Sequence, residues 1–455
     1  LLPEAERPGA QPIARLSRAL AEELLRDLDP LIRLSHLASS QHDLLHALAA
    51  FADLRWPGRR EIGFLEFFRA AQPLFKEYVH YHFTLLSHRP LQAPGFNPFQ
   101  LAAVRRLSAC RREIVRQLAH CLHASGREQH LCREALNRLL DDVPAPYAAG
   151  RDFCAFLQPL DAAGRTWVVN AIVDGYGRLS SRHTTAMDGE TREYWTSYFA
   201  PRSFAELDGE RVELVDVSCP GRRTINVHAR QTRRCLKLPG ESWTCPPEQL
   251  LRLKDLRICP RGRESFPVLA DADGQRLLPV QRGGMSARLS PTLLKFLAAF
   301  GPVELWSSRP VRERRWGAEG AIIERHRIGS VVYLRKRWRF DPRGLLVQLA
   351  GLKAPQALQA IDRWRTASGI PRRAFVRAGT GAGPGTGGKP QFIDFSSPSF
   401  AQIFAASLRG GARVLEEVLP GPAQFPGGEA RWGVEVQLES FAVRHAPPAS
   451  TPSSS

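Results

Sequence analysis

Apolar positions recur at three- and four-residue spacing through the first third of the chain, the period of an amphipathic helix. Residues 13–25, 44–51, 64–79, 101–122 and 131–140 carry this pattern, with Ala124-Ser-Gly126 as punctuation between the last two. The prolines of Asp141-Asp-Val-Pro144-Ala-Pro146 close the stretch, because a residue that precedes proline is pushed out of helical geometry. From residue 151 the texture changes to short β-type runs separated by turns. Strands are expected at 167–173, 212–217, 303–306, 330–334, 374–377, 391–395 and 434–441. Helices are expected at 291–300, 355–367 and 399–408. The pattern predicts an α+β fold, a helical N-terminal part followed by a mixed α/β region with several short sheets. The expected units are a helical region at 1–148, the mixed part at 149–442 and a tail at 443–455. The tail is Pro- and Ser-rich and therefore expected to be disordered.

Composition adds a partner class. Lys plus Arg number 63 against 45 acidic residues, a formal charge of +18 that favours polyanions such as nucleic acid, acidic peptides or anionic head groups. No apolar run approaches the roughly 18 residues needed to span a bilayer, and no integral membrane segment is expected. Neither Met nor a secretory signal opens the chain; Leu1-Leu-Pro reads like the interior of a longer protein, and a cytoplasmic location is expected. The eight cysteines, at 110, 121, 132, 154, 219, 235, 245 and 259, form no C-x-x-C pair. Their spacing with His120, His123 and His130 matches no zinc pattern, which leaves buried thiols as the reading and no metal or cofactor expected. His36, His42, His46, His80, His82 and His88 read as solvated or capping side chains.

The most informative run is Trp167-Val-Val-Asn170-Ala-Ile-Val-Asp-Gly175-Tyr-Gly177-Arg178-Leu-Ser-Ser181-Arg182. An apolar strand breaks at two glycines and then presents a Ser-Ser-Arg cluster, a way to build an anion-binding wall. A β-turn with a surface arginine accounts for the same residues on local physics alone. Residues 309–343 form the densest basic region, with Trp316, Tyr333 and Trp338 interleaved among the arginines. Guanidinium groups for phosphates and aromatic faces for unpaired bases suit RNA, although a strand pair with one solvated face explains the alternation too. The glycine-rich stretch 379–388 ends in Lys389-Pro390, where a phosphate-binding loop needs Ser or Thr, and it reads as a flexible hairpin connection.

Further segments complete an ordered set: Thr224-Ile-Asn226-Val-His-Ala-Arg230, Lys254-Asp255-Leu256, Leu289-Ser-Pro291, Arg327-Ile-Gly to Trp338-Arg339, Gly369-Ile-Pro371-Arg372, Lys389-Pro-Gln-Phe-Ile-Asp394 and Glu416-Glu-Val-Leu-Pro420. In this order, and with the strand-turn at 167–182, they resemble the glutamylation (N-terminal) region of lantibiotic dehydratases. The resemblance covers residues 150–442 and the helical part only loosely. An Arg-x-Thr-Pro-Phe-Gly-like segment is not found. The resemblance ends by Phe441 with only the tail to Ser455 beyond it, so the family's elimination domain is expected to be missing from this sequence.

The resemblance implies a tRNA-dependent aminoacyltransferase with glutamyl-tRNA, or another aminoacyl-tRNA, as co-substrate. A Ser or Thr hydroxyl of a ribosomally synthesised precursor peptide attacks the activated ester, in lanthipeptide- or thiopeptide-type biosynthesis. A separate elimination-domain protein or cyclase would follow. It further implies Arg182 and Ser181 as catalytic residues, with Arg182 on the glutamyl carboxylate or the tRNA 3′ end. Asn170, Arg178, Asn226, Arg230, Arg335, Arg337 and Arg339 are implied for substrate or tRNA. A non-catalytic peptide- or tRNA-binding scaffold, a peptide aminoacyl-tRNA ligase and a general RNA binder are the alternatives.

Overall fold

Ser17 starts the first helix by accepting the Leu20 N–H on its hydroxyl, a side-chain N-cap. The computed structural model describes residues 17–440 apart from 85–90, 148–152, most of 182–203, 218–230, 240–245, 283–289, 304–312, 317–319, 378–389, 421–435 and shorter breaks of one or two residues. The early helices are α1 (Arg18–Leu37), α2 (Gln41–Arg55), α3 (Phe64–Thr84), α4 (Ala102–Cys121) and α5 (Arg133–Asp141). Later come α6 (Thr292–Ala298), α7 (Pro342–Leu349), α8 (Ala354–Ala367) and α9 (Pro398–Arg409). Helix α1 runs well past the expected residue 25, through Pro30. An interior proline costs a helical bond, and here Leu28, Leu31, Ile32 and Leu34 are all buried in a core that offsets it.

The strands begin with β1 (Ile62–Gly63), β2 (Leu122–Ser125), β3 (Glu128–Leu131), β4 (Phe153–Pro159), β5 (Trp167–Asp174), β6 (Phe204–Leu207) and β7 (Glu210–Val217). Next are β8 (Arg234–Leu236), β9 (Leu250–Leu251), β10 (Arg257–Cys259), β11 (Val268–Ala270) and β12 (Arg276–Gln281). The last group is β13 (Glu313–Trp316), β14 (Gly320–Ile323), β15 (Arg325–Ile328), β16 (Val331–Leu334), β17 (Arg337–Phe340), β18 (Arg373–Arg377), β19 (Gln391–Asp394), β20 (Val414–Glu417) and β21 (Val436–Ser440). They form three sheets. The first has the order β1-β10-β11-β12-β7-β8-β9 with β6 also on β7; the second is β13-β14-β17-β20-β18-β19; the third is β2-β3-β15-β16-β5-β4-β21.

The fold is therefore mixed α+β, as the patterning predicts, and each sheet is covered by its own helices. Helices α2, α3 and α6 share a core with the first sheet. Helices α1, α4 and α5 pack on the third, and α7, α8 and α9 on the second. Two of these cores include residues from both sides of position 148, so the helical part is built into the sheets. Ala124 and Ser125, expected as punctuation, instead end strand β2, which pairs antiparallel with β3, and β3 in turn pairs in parallel with β15. That strand lies about two hundred residues downstream, a partner no local pattern reveals.

One long hairpin joins two sheets. Its arms are β14 then β15, and β16 then β17, interrupted at Glu324 and at Arg335-Lys336. The half near the tip, β15–β16, belongs to the third sheet, and the other half, β14–β17, belongs to the second. At the tip Gly329 takes φ +48°, a left-handed conformation that favours glycine. Buried Asp27 of α1 accepts from the Ser330 N–H and hydroxyl and from Arg133. The tip is thereby fixed to α1, and the Ser330 carbonyl accepts the Trp167 N–H at the start of β5.

Candidate functional site

Strand β5 leaves the third sheet at Asp174 and turns through Gly175-Tyr176-Gly177. Tyr176 and Gly177 both take positive φ, +61° and +75°. An L-residue pays strain there unless the surroundings hold it, and two contacts do so. The Tyr176 ring is buried among Val212, Leu214, Leu278 and Val280. Its carbonyl accepts a 3.0 Å hydrogen bond from Nε of Arg282, which is itself 1% exposed.

Arg282 also forms an ion pair with Asp216 of β7, a fully buried carboxylate. Asp216 accepts the Gln231 N–H at 2.9 Å, and its own N–H donates to the Thr232 hydroxyl. This pair therefore ties the glycine turn to the residue that follows Arg230. Sequence reasoning missed Arg282 and Asp216; a single arginine after a strand and a single aspartate within one carry no local signature.

After the turn, Arg178 forms an ion pair with Asp174. Ser181 is buried, with its hydroxyl donating to the Arg178 carbonyl. Arg178 and Asp174 line a cavity of about 90 Å³. Gln281 of β12, Ser290, and Lys295 of α6 supply further polar lining, and Phe75, Tyr78 and Phe83 of α3 the apolar wall. The Lys295 ammonium lies 5.8 Å from the centre of the Phe83 ring, and burial pushes its pKa down. His82 also lines the cavity, bonded to the Ser40 hydroxyl at 2.8 Å. A guanidinium, an ammonium and a carboxylate thus meet on an apolar floor, suited to a small ligand that carries both charges. Lys295, His82 and Asp174 come from three distant elements, and only the fold brings them together.

Other expected site residues fall elsewhere. Asn170 accepts from Arg335 at 2.6 Å, and Arg335 also donates to the Leu419 carbonyl from Nε and Nη2. Burial lowers the Arg335 pKa. Arg337 pairs with Glu416 at 2.7 Å; Arg325 bridges Glu417 and Glu128, and Lys336 pairs with Glu324. Burial raises the Glu416 pKa, and Arg337, Arg377 and Arg335 together outweigh it, so its carboxyl sits below the usual range. Arg339 is half-buried on β17. Arg182, Asn226, Arg230 and the glycine-rich stretch lie outside the described residues, as does the tail from 443.

Two expectations are corrected. His36, His42, His46 and His82 are buried instead of solvated, because their rings bond into the α1–α2 junction and against Tyr147 and Phe266. Tyr333 and Trp338 are 3% and 2% exposed, with their rings packed into the cores, so neither offers a face for a base. Among the described residues no group of three His, Cys, Asp or Glu side chains could hold a metal ion. No helix among them is long and apolar enough to cross a membrane.

Residues 12–380, well over half of the chain, match the family described as lantibiotic dehydratase, N terminus. The chain belongs to this family. Two solved structures resemble it over nearly all of its length. The glutamylation domain of TbtB from thiomuracin biosynthesis is 25% identical with a TM-score of 0.75, over 95% of this chain and 51% of that one. The same domain bound to 5'-phosphodesmethylglutamycin gives 25% and 0.74, over 94% and 51%. The tRNA-dependent lantibiotic dehydratase MibB from Microbispora sp. 107891 shares the fold, at 18% identity and a TM-score of 0.50 over 69% of this chain and 30% of that one. The chain spans about half the length of the TbtB chain it matches. No curated protein sequence matches it. The dehydratase resemblance read from the ordered motifs is thus borne out at the level of the family.

Proposed function

We propose that this lantibiotic dehydratase domain transfers glutamate from glutamyl-tRNA to Ser or Thr hydroxyls of a ribosomally synthesised precursor peptide. The observation that carries the reading is the cavity beside the glycine turn, where Arg178, Lys295 and Asp174 converge. A glutamyl ester carries a side-chain carboxylate and an α-ammonium. Arg178 and Asp174 are paired with each other, so Lys295 is the cation that suits the carboxylate. The paired Asp174 offers a weaker site for the ammonium, and the arrangement positions an ester already activated for attack. The peptide hydroxyl adds to the ester carbonyl and gives up its proton; the bond to the tRNA ribose oxygen breaks, and that oxygen is protonated. Arg182, one residue beyond Ser181, is assigned to the glutamyl carboxylate or the tRNA 3′ end. Arg335 with Asn170 braces β5 behind the turn. A separate elimination protein or cyclase completes the modification, and the chemistry takes place in the cytoplasm, where aminoacyl-tRNA is available.

The test is incubation of the chain with glutamyl-tRNA and a Ser/Thr-rich precursor peptide. Mass spectrometry should show gain of one glutamyl group, lost on mild base as expected for an ester. Lys295→Met should lower kcat/KM about ten- to a hundredfold, the range for losing a charged hydrogen bond. Arg182→Ala should abolish transfer. An unmodified peptide under all conditions would leave a binding scaffold in place of a transferase. Addition to the peptide C-terminus through an amide would instead indicate a peptide aminoacyl-tRNA ligase.

A further inference from the structure

The second sheet packs one face against helices α7, α8 and α9, while at its β14 end the other face sends Ile323 into the core of the third sheet. Ile322, Trp338, Ala374, Val376, Ile393 and Leu415 point to α7, α8 and α9. Because side chains alternate along a strand, Arg337, Arg339, Arg373, Phe375, Arg377 and Phe392 stand on the opposite face. The strand register sets them in rows. Phe392 lies opposite Phe375, Phe375 opposite Glu416, and Glu416 opposite Arg337. In the next row Arg377 lies opposite Val414, and Val414 opposite Arg339. The two phenylalanine rings meet edge to face, with centroids 6.0 Å apart, and both are half-buried. Phe392, on the edge strand, also meets the Phe400 ring of α9 edge to face at 5.7 Å, which leaves Phe375 as the main stacking surface.

Charge on this face is lopsided. Glu416 is shared by Arg337 and Arg377, and Asp394 by Arg372 and Arg373. Two carboxylates thus answer four guanidinium groups, with Arg339 beside them. The side chains of Arg372, Arg373 and Arg377 keep 64%, 47% and 38% of their surface in solvent. The Arg377 Nε–H meets no acceptor among the described residues, although solvent scarcely reaches it.

We propose that this face is an RNA platform that seats unpaired nucleotides of the tRNA co-substrate, a refinement that rests on the transferase reading above. Bases would stack on Phe375 and Phe392 while phosphates take the surrounding arginines, the division of labour by which sheet surfaces bind single-stranded RNA. An acidic peptide would satisfy the guanidinium groups but has no use for flat rings between them. The basic stretch singled out in the sequence thus contributes Arg337 and Arg339, while the stacking rings come from β18 and β19 in place of Tyr333 and Trp338.

The test measures binding of the full chain to a short unstructured fluorescein-labelled oligoribonucleotide and to deacylated tRNA by anisotropy, across a salt series. Phe375→Leu, which keeps an apolar side chain, should weaken binding about fivefold or more, the loss of one stacked base. Arg373→Gln with Arg377→Gln should reduce the slope of log K against log salt by roughly 1.4, about 0.7 for each phosphate contact on a single strand. Both sites are on or near the surface, and thermal melts identify any variant that fails to fold, for which Arg372→Gln serves as replacement. Wild-type affinity and slope in these variants would overturn the platform, as would a wild-type chain that binds no RNA. Loss of precursor-peptide binding with RNA binding intact would also overturn it and assign the face to peptide. Glutamyl transfer with indifferent face variants sinks the platform alone; RNA binding through the face without any transfer sinks the transferase reading alone.

Discussion

Replacing Gly329 by alanine tests how the hairpin tip is held. A Cβ at this position would lie 2.2, 2.3 and 2.4 Å from the two carboxylate oxygens and Cγ of Asp27, far inside van der Waals contact. The φ of +48° adds the left-handed penalty, about 1 kcal/mol for an L-residue. Asp27 is fully buried and accepts at 2.7 Å from the Ser330 N–H, 2.8 Å from its hydroxyl and 2.7 Å from Arg133. Displacing it forfeits one or two hydrogen bonds to a charged group, each worth about 1.5–3 kcal/mol. The expected loss is about 4 kcal/mol, a large share of a domain's typical 5–15. Urea unfolding followed by tryptophan fluorescence measures it. In an Asp27→Ala background the obstruction is gone, and the same change should cost only the left-handed strain, about 1 kcal/mol. Equal losses in the two backgrounds, or a loss under about 1.5 kcal/mol in the first, would refute the reasoning.

Three more outcomes are expected. Arg111, 1% exposed, donates to both oxygens of buried Asp43 at 3.0 Å and to the Leu37 and Ser39 carbonyls, so Arg111→Met should cost about 3–5 kcal/mol in urea titrations. Adding Asp43→Leu should recover part of that loss, and a strictly additive double variant would count against a buried charge as its source. Arg282→Lys keeps the charge but cannot serve the Tyr176 carbonyl and Asp216 together; kcat/KM for the proposed glutamyl transfer should fall at least about tenfold, and unchanged kinetics would dissociate the turn from the proposed site. Burial pushes the His326 pKa down to about 4, against an unfolded value of 6.5. The stability from keeping this ring neutral is fully present above pH 6.5 and lost as pH falls through about 4, on the order of 3 kcal/mol. His326→Phe should flatten that part of a urea-midpoint profile, leaving the smaller share of His36 and His42, whose pKa values burial also lowers; an unaltered profile would contradict this.

Local patterning was a good guide wherever an element buries one face along its own length. Helix α8, strand β18 and the glycine turn at 175–177 stand where their residues indicate. It failed where the partner is remote. The β2–β3 hairpin exists because β15 accepts it; α1 crosses Pro30 because its apolar stripe packs on the third sheet. The basic stretch shows the same limit: its arginines were legible, but their pairing with Glu128, Glu416 and Glu417 depends on strands far away in the chain.

The order of short motifs carried a resemblance to the family, which the match over residues 12–380 then showed, and the helix and strand periods by themselves determined the α+β class. Short motifs are legible because some segments encode their own backbone geometry, such as the positive-φ turn that Gly177 permits. Which charges meet was decided only by the tertiary structure. Lys295 reaches the cavity of Arg178 and Asp174, and Arg282 the carbonyl of Tyr176, because three sheets and their helices close around them. An ion pair or a cavity is a property of distance in space, and a sequence of residue types does not carry that distance.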